Sequence, residues 1–219
     1  MRDAALASGP MRPLIKEIVD WCCRVALTPC GWMCAFEAAR GIEREAMFSF
    51  WAQTFALVPG LPGVFLRRAF YRLTLDSCGD SFYVGFGAFF SHRQSIVEEG
   101  VYIGPYAIIG SAKLRRGCLI GSRAGIISGA HLHDVIDADG GRIPTDPRRL
   151  RQVEIGENAW LGEACLIMAD IGHGATVAAG SVVSSAVPAG VVVAGNPARF
   201  VRRLTYTRDA NEEATRAAV

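Results

Sequence analysis

Residues 97–130 read VEEGVYIGPYAIIGSAKLRRGCLIGSRAGIISGA, and the pattern in them repeats every six positions. Val97-Glu98-Glu99-Gly100-Val101-Tyr102 is followed by Ile103-Gly104-Pro105-Tyr106-Ala107-Ile108 and then Ile109-Gly110. After a slip the register resumes at Leu114-Arg115-Arg116-Gly117-Cys118-Leu119, and units opening at Ile120 and Ile126 follow. A second block keeps the same pattern through Ile155, Leu161 and Ile167, slips at Ile171, and continues through Val177 to Val183. An aliphatic residue opens each unit, a small residue often sits four places later, and glycine often follows the aliphatic. Such a period is the mark of a parallel β-helix. Each unit supplies one short strand and a turn, with the aliphatic pointing into a prism and the small residue packed near a corner. Coils stacked at about 4.8 Å then pair every backbone group with the coil above or below. Valine-rich strands of a sandwich would not hold one phase over so many consecutive units.

Working outward, the repeat disappears from Asp134 to Gln152 into a polar stretch rich in Asp, Arg, Gly and Pro, which must run over the surface as a loop. Beyond the coil, Asp209 and Glu212 form a capping box for a short last helix within a tail at 205–219. Before the coil, apolar residues recur at helical spacing from Pro13 to about Leu75: Leu14, Ile18, Trp21, Cys22 and Val25, then Leu66, Phe70 and Leu73 with Arg67, Arg68 and Arg72 opposite. Between them the two Pro-Gly steps of Val58-Pro59-Gly60-Leu61-Pro62-Gly63 make a rigid corner. The expected organisation is an N-terminal helical region over 1–75, a β-helix over 76–204 and the tail. Val25 to Phe36 is apolar, flanked by Asp20, Arg24 and Glu37 and interrupted by Pro29, and is too short to span a bilayer, which takes about 20 residues. It reads either as a helix packed on the rest of the protein or as a segment in a membrane interface. In the second case Trp21, Trp32, Phe36, Phe48, Phe50 and Trp51 would dip among lipids.

At 219 residues, 51% hydrophobic, the chain can bury a sizeable core. A formal charge of +2 provides no concentrated basic face, which sets nucleic-acid binding aside. Seven cysteines are an odd number in mostly apolar context with no leader pattern read before them, which fits buried thiols and a cytoplasmic location. That location becomes the inner membrane surface if the interfacial reading holds. Cys30 and Cys34 have clip spacing, but no second pair with zinc-finger spacing follows.

The coils, the histidines that precede the loop, Ile155-Gly-Glu-Asn-Ala-Trp-Leu-Gly, Ala179-Gly-Ser-Val-Val and the ending Ala194-Gly-Asn-Pro-Ala-Arg-Phe-Val-Arg together resemble the hexapeptide-repeat acyltransferases. The likeness is strongest to the branch associated with exopolysaccharide and lipopolysaccharide O-acetylation, and it covers roughly residues 55–204. The resemblance implies a left-handed coil, a homotrimer with sites between neighbouring prisms, acetyl-CoA as donor, a sugar or glycan hydroxyl as acceptor, and no metal. Two departures stand out: the run between Ile167 and Ile171 is short, and Ser184-Ser185 replaces the expected Thr-Lys.

Attack of a sugar hydroxyl on a thioester needs a positioned base, and histidine suits neutral pH. Of the four histidines, His131 and His133 fall where the family's catalytic histidine falls. His133 is the favoured base, with His131 as the alternative, while His92 and His173 read as surface or capping residues. Asp134, Asp137 and Asp139 are candidates to orient the imidazolium. Cys118 and Cys165 sit at inward positions, which argues against a covalent thiol route. Residue matching implies that the pantetheine arm lies near Gly162, Ala179, Ser184 and Ser185, and that Arg199 and Arg202 hold the coenzyme phosphates. Arg142, Arg148, Arg149 and Arg151 form a solvated loop or attract an anionic glycan. Trp160 reads as a core or trimer residue. Two other readings remain open: a β-helix carbonic-anhydrase-like metalloenzyme using His131, His133 and a neighbour's His173, and a non-catalytic hexapeptide scaffold.

Overall fold

The computed structural model of the chain describes residues 11–41, 44–129, 139–141 and 150–205, the side chains of 11–16 excepted. Three parallel sheets form the faces of a prism of about five turns. Face A holds β1 (Ser77–Cys78), β4 (Ile96–Val97), β7 (Ala112–Leu114) and β10 (Val153–Ile155), and continues through single bridges from Ile155 to Ile171 and from Ile171 to Val187. Face B holds β2 (Tyr83–Val84), β5 (Tyr102–Ile103), β8 (Leu119–Ile120), β11 (Trp160–Leu161), β13 (Thr176–Val177) and β15 (Val191–Ala194). Face C holds β3 (Phe89–Phe90), β6 (Ile108–Ile109), β9 (Gly125–Ile126), β12 (Leu166–Ile167) and β14 (Val182–Val183). A last strand, β16 (Arg199–Arg203), turns back antiparallel on β15.

The side-chain pattern follows the six-residue period. Leu114 and Ile155 on face A, Ile103, Ile120, Leu161 and Val177 on face B, and Ile109 and Ile167 on face C are fully buried. Cys118, Ala159, Cys165 and Ala175 fill the small-residue positions, also fully buried. Each aliphatic removed from water contributes about 1.5–3 kcal/mol. The coil begins earlier than the clear repeats at Val97 suggest: Cys78, Val84 and Phe90 already occupy the pattern in β1, β2 and β3. An aromatic stands there because the first turn lies under the helices, and Phe90 meets the ring of Tyr71 edge-on at 4.9 Å.

Corners need residues without side chains where coils touch. Along the edge between faces B and C, a Cβ on Gly104 would lie 2.6 Å from Ser122 N, on Gly121 2.7 Å from Glu163 N, and on Gly162 2.4 Å from Ala179 N. These are backbone atoms of the next coil and cannot swing aside.

Helices α1 (Met11–Ala38), α2 (Ala46–Ala56) and α3 (Gly60–Thr74) cover the first turn. Pro29 does not interrupt α1, which runs unbroken through it. The corner forms at the first Pro-Gly step only, with Pro59 extended at the N-cap of α3; Pro62 and Gly63 lie in the first turn of that helix, where a proline's missing N–H costs nothing. Arg67 and Arg68 do not lie on a solvated face as the helical pattern suggests; they are 1% and 4% exposed. Arg67 donates to the carbonyls of Val84 (3.0 Å), Phe55 (3.0 Å) and Val58 (2.8 Å), tying the end of α2 to the coil. Arg68 pairs with Asp20 of α1, Nε to Oδ1 at 3.1 Å. Glu37 accepts the Met47 and Phe48 N–H groups and so caps α2 from outside it. The six aromatics divide between core and surface. Phe48 is buried against Phe70 and Trp51 stacks on Phe55, whereas Trp21, Trp32, Phe36 and Phe50 are exposed. No described helix is long and apolar enough to cross a membrane. The last helix placed at Asp209 and Glu212 lies outside the described residues.

The close corner generates a contrast. Gly121→Ala drives a Cβ into backbone and is expected to cost about 3 kcal/mol. Gly180→Ala meets nothing within 4 Å and strains only its positive φ, at about 1 kcal/mol. Denaturant midpoints measure both, and equal losses would show that the corner is not close-packed.

Candidate active site

The coil is interrupted at one edge of the prism, between faces C and A. Gly110 N donates to Ile126 O, Ile127 N to Ile167 O and Met168 N to Val183 O, each at 2.8 Å, so Gly110, Ile127, Met168 and Ser184 stack turn by turn along that edge. From there the chain continues through Ser128 and Gly129 into the segment that holds His131 and His133, both outside the described residues. It returns to the same edge. Gln152 Nε2 donates to Gln94 O at 3.1 Å, Arg151 pairs with Asp170, and the Glu154 N–H donates to Asp170 Oδ1 at 3.0 Å.

Buried hydroxyls bind the turns together where the loop departs. The Ser111 N–H donates to Ser128 Oγ and the Ala112 N–H to Ser95 Oγ, both at 3.1 Å. Ser128 is thereby fixed at the base of the departing segment. These serines were not singled out from the sequence; their place in the corner between faces C and A is the signal that finds them.

The residues implied as coenzyme contacts divide among three places. Ser184 and Ser185 are exposed on the C–A edge, about 10 Å and two turns along from Ile127 at ordinary strand spacing. Gly162 and Ala179 share the B–C edge; Gly162 is buried under the Ala178-Ala179 backbone, so its missing side chain has a stacking reason, while Ala179 is exposed. Arg199 and Arg202 stand exposed on β16, where their guanidinium groups donate to the neighbouring carbonyls of Ala198 (3.2 Å) and Arg203 (3.5 Å). Neither makes an ion pair among the described residues.

Other candidates resolve differently. Arg151 is engaged by Asp170, while Arg142, Arg148, Arg149, Asp134 and Asp137 lie outside the described residues, and Asp139 is exposed. His92 is not a free surface histidine: its Nδ1 lies 2.7 Å from Glu45 Oε2, and Glu45 Oε1 also accepts the Arg93 N–H at 3.0 Å. His173 lines an open cleft on face A with Glu98, Arg115, Glu154, Glu157 and Asp170. Arg115 bridges Glu98 and Glu154 at 2.8 Å each, and its hydrogen bond holds the Glu98 carboxyl below its ordinary pKa. No three described His, Cys, Asp or Glu residues cluster so as to hold a metal. Trp160 is not core but exposed, outward on face B beside Leu119.

No family model matches the chain. It is 42% identical over 117 residues to "Serine acetyltransferase 2" of Arabidopsis thaliana, covering 50% of this chain and 35% of that protein. It is 30% identical over 155 residues to a Saccharomyces cerevisiae protein named "Putative acetyltransferase", covering 61% and 69% respectively. It is 33% identical over 130 residues to the Escherichia coli "Putative lipopolysaccharide biosynthesis O-acetyl transferase WbbJ", covering 56% and 64%. The chain thus spans about a third of the first relative's length and about two thirds of the other two. Among solved structures, a maltose O-acetyltransferase from Clostridium difficile matches with TM-score 0.59 and 19% identity, covering 75% of this chain and 89% of that one. A galactoside acetyltransferase in complex with coenzyme A matches with TM-score 0.54 and 18% identity, covering 78% and 85%. At those identities the likeness shows the fold, a left-handed parallel β-helix. With that coil and a relative 30% identical over most of its length, the chain belongs to the hexapeptide-repeat acetyltransferase family.

Proposed function

We propose that the chain is an acyl-CoA-dependent O-acyltransferase that moves an acetyl group to a hydroxyl of a sugar or glycan precursor, with His133 as base and His131 beside it. The observation that carries the reading is the C–A edge, where the coil opens after Gly129, closes at Gln152, and exposes Ser184 and Ser185 two turns on. In this reading the histidine removes the acceptor O–H proton as the oxygen attacks the thioester carbonyl. A backbone N–H of a coil corner stabilises the oxyanion, and collapse expels the thiolate, which takes the proton back from the imidazolium.

A homotrimer is part of the proposal. Gly162 and Ala179 lie on a different edge from Ser184 and Ser185, and two copies packed edge to edge would let one ligand meet both sets. Tyr102, Leu119 and Trp160 on face B and Ile108 and Leu166 on face C are exposed apolar side chains that neighbouring prisms would cover.

The test is calorimetric titration of acetyl-CoA and free coenzyme A, with turnover on a panel of sugar acceptors. Wild type is expected to bind saturably, Arg199→Ala to bind more weakly, and His133→Ala to bind normally while losing about 10²–10⁴ of its rate. Absence of binding together with stoichiometric zinc or iron in untagged protein would overturn the reading in favour of a metalloenzyme. Absence of both would favour a scaffold.

Direct transfer also requires that no buried thiol be acylated. Cys118 and Cys165 are fully buried, and desolvation pushes their thiols up to about 12 and about 11. In folded protein a thiol reagent is expected to label exposed Cys22 and to reach Cys118 and Cys165 only after denaturation. Rapid native labelling of either would reopen the covalent route.

A further inference from the structure

Helix α1 has two apolar faces, and only one packs on other elements among the described residues. Its inner face packs on α3, where a Cβ on Gly31 would lie 3.3 Å from Leu73 Cβ, and the Asp20–Arg68 pair locks that contact. Its outer face carries Ile18, Trp21, Val25, Trp32, Met33 and Phe36, 45–74% exposed. Their spacing puts them in one stripe about 27 Å long. Soluble surfaces rarely expose so continuous an apolar patch without a partner.

We propose that this stripe lies flat in the headgroup region of an anionic lipid bilayer. Two tryptophans on the exposed face suit a membrane interface, where an aromatic ring meets a polar boundary. Glu17, Asp20, Arg24 and Glu37 in the same helix forbid crossing, so the helix lies in the plane. At its C-terminal end Arg40 and Arg44 are exposed, and the Arg40 guanidinium sits 3.8 Å from the Phe36 ring centroid, at the border where lipid phosphates lie. A second copy fits less well. Crossed helices touch mainly near the crossing point, which falls short of the roughly 1,200 Å² of a stable interface. A lipid plane takes the whole stripe at once.

The test is flotation of the full chain with vesicles of phosphatidylcholine, alone or mixed with phosphatidylglycerol. Wild type is expected to float with the mixed vesicles. Trp32→Ser combined with Phe36→Ser is expected to weaken binding about tenfold or more, and Arg40→Glu to weaken it on anionic vesicles more than on neutral ones. Both variants change exposed side chains, and far-UV circular dichroism checks that they fold. Wild type that floats with neither vesicle, or a double variant that floats as well as wild type, would overturn the proposal. So would gel filtration in which the double variant alone shrinks to a smaller species, since a second copy would then cover the stripe. Flotation reads no acyl transfer, so its failure leaves the transferase proposal standing.

Discussion

Everything in this molecule depends on one constraint: a short strand in a coil has no partner except the coil above and the coil below. The backbone ladder therefore runs along the prism, and each corner must let two coils approach until backbone meets backbone. Gly104, Gly121 and Gly162 meet that demand on one edge. The buried aliphatics and small residues then fill an interior too narrow for alternatives. A slip of one residue would turn the inward set outward, so the period of six is at once the signature of the fold and its enforcement.

A stacked coil has two open ends, each an edge that would pair with other chains if left bare. The first turn is closed by helices. Arg67, buried with no carboxylate partner among the described residues, donates to carbonyls at the end of α2 and on β2 together, which makes helix and coil one unit. Burial lowers its pKa, and the carbonyl cage is what keeps so costly a cation in place. Tyr71 completes the joint, its hydroxyl accepting the Phe90 N–H at 3.2 Å. At the other end β16 folds back over β15 and brings Arg199 and Arg202 to the surface.

Much of this was legible in the sequence because the coil is local and periodic. Inward positions from Val97 to Val183 and the break in the coil after Gly129 follow from spacing alone. What spacing misses is set by packing. Arg67 and Arg68 match a polar helical face and are buried because carbonyls and Asp20 await them. Phe90 hides the first coil because helices, not another turn, cover it. Glu45 and His92 are far apart in sequence and meet only through the fold. For the site, the sequence picks out Ser184 and Ser185 by residue matching; that they share an edge with the loop's departure depends on how the turns register, which no single hexad states.

The same register sorts the proposed site, since the loop departure, Ser184 and Ser185 fall in one column while Gly162 and Ala179 fall on another edge and Arg199 and Arg202 on β16. A crystal structure with coenzyme A bound tests this most directly. The account expects the coenzyme between two prisms, its sulfur beside Gly129 on the C–A edge of one copy. A coenzyme seated on a single prism away from that edge would contradict it.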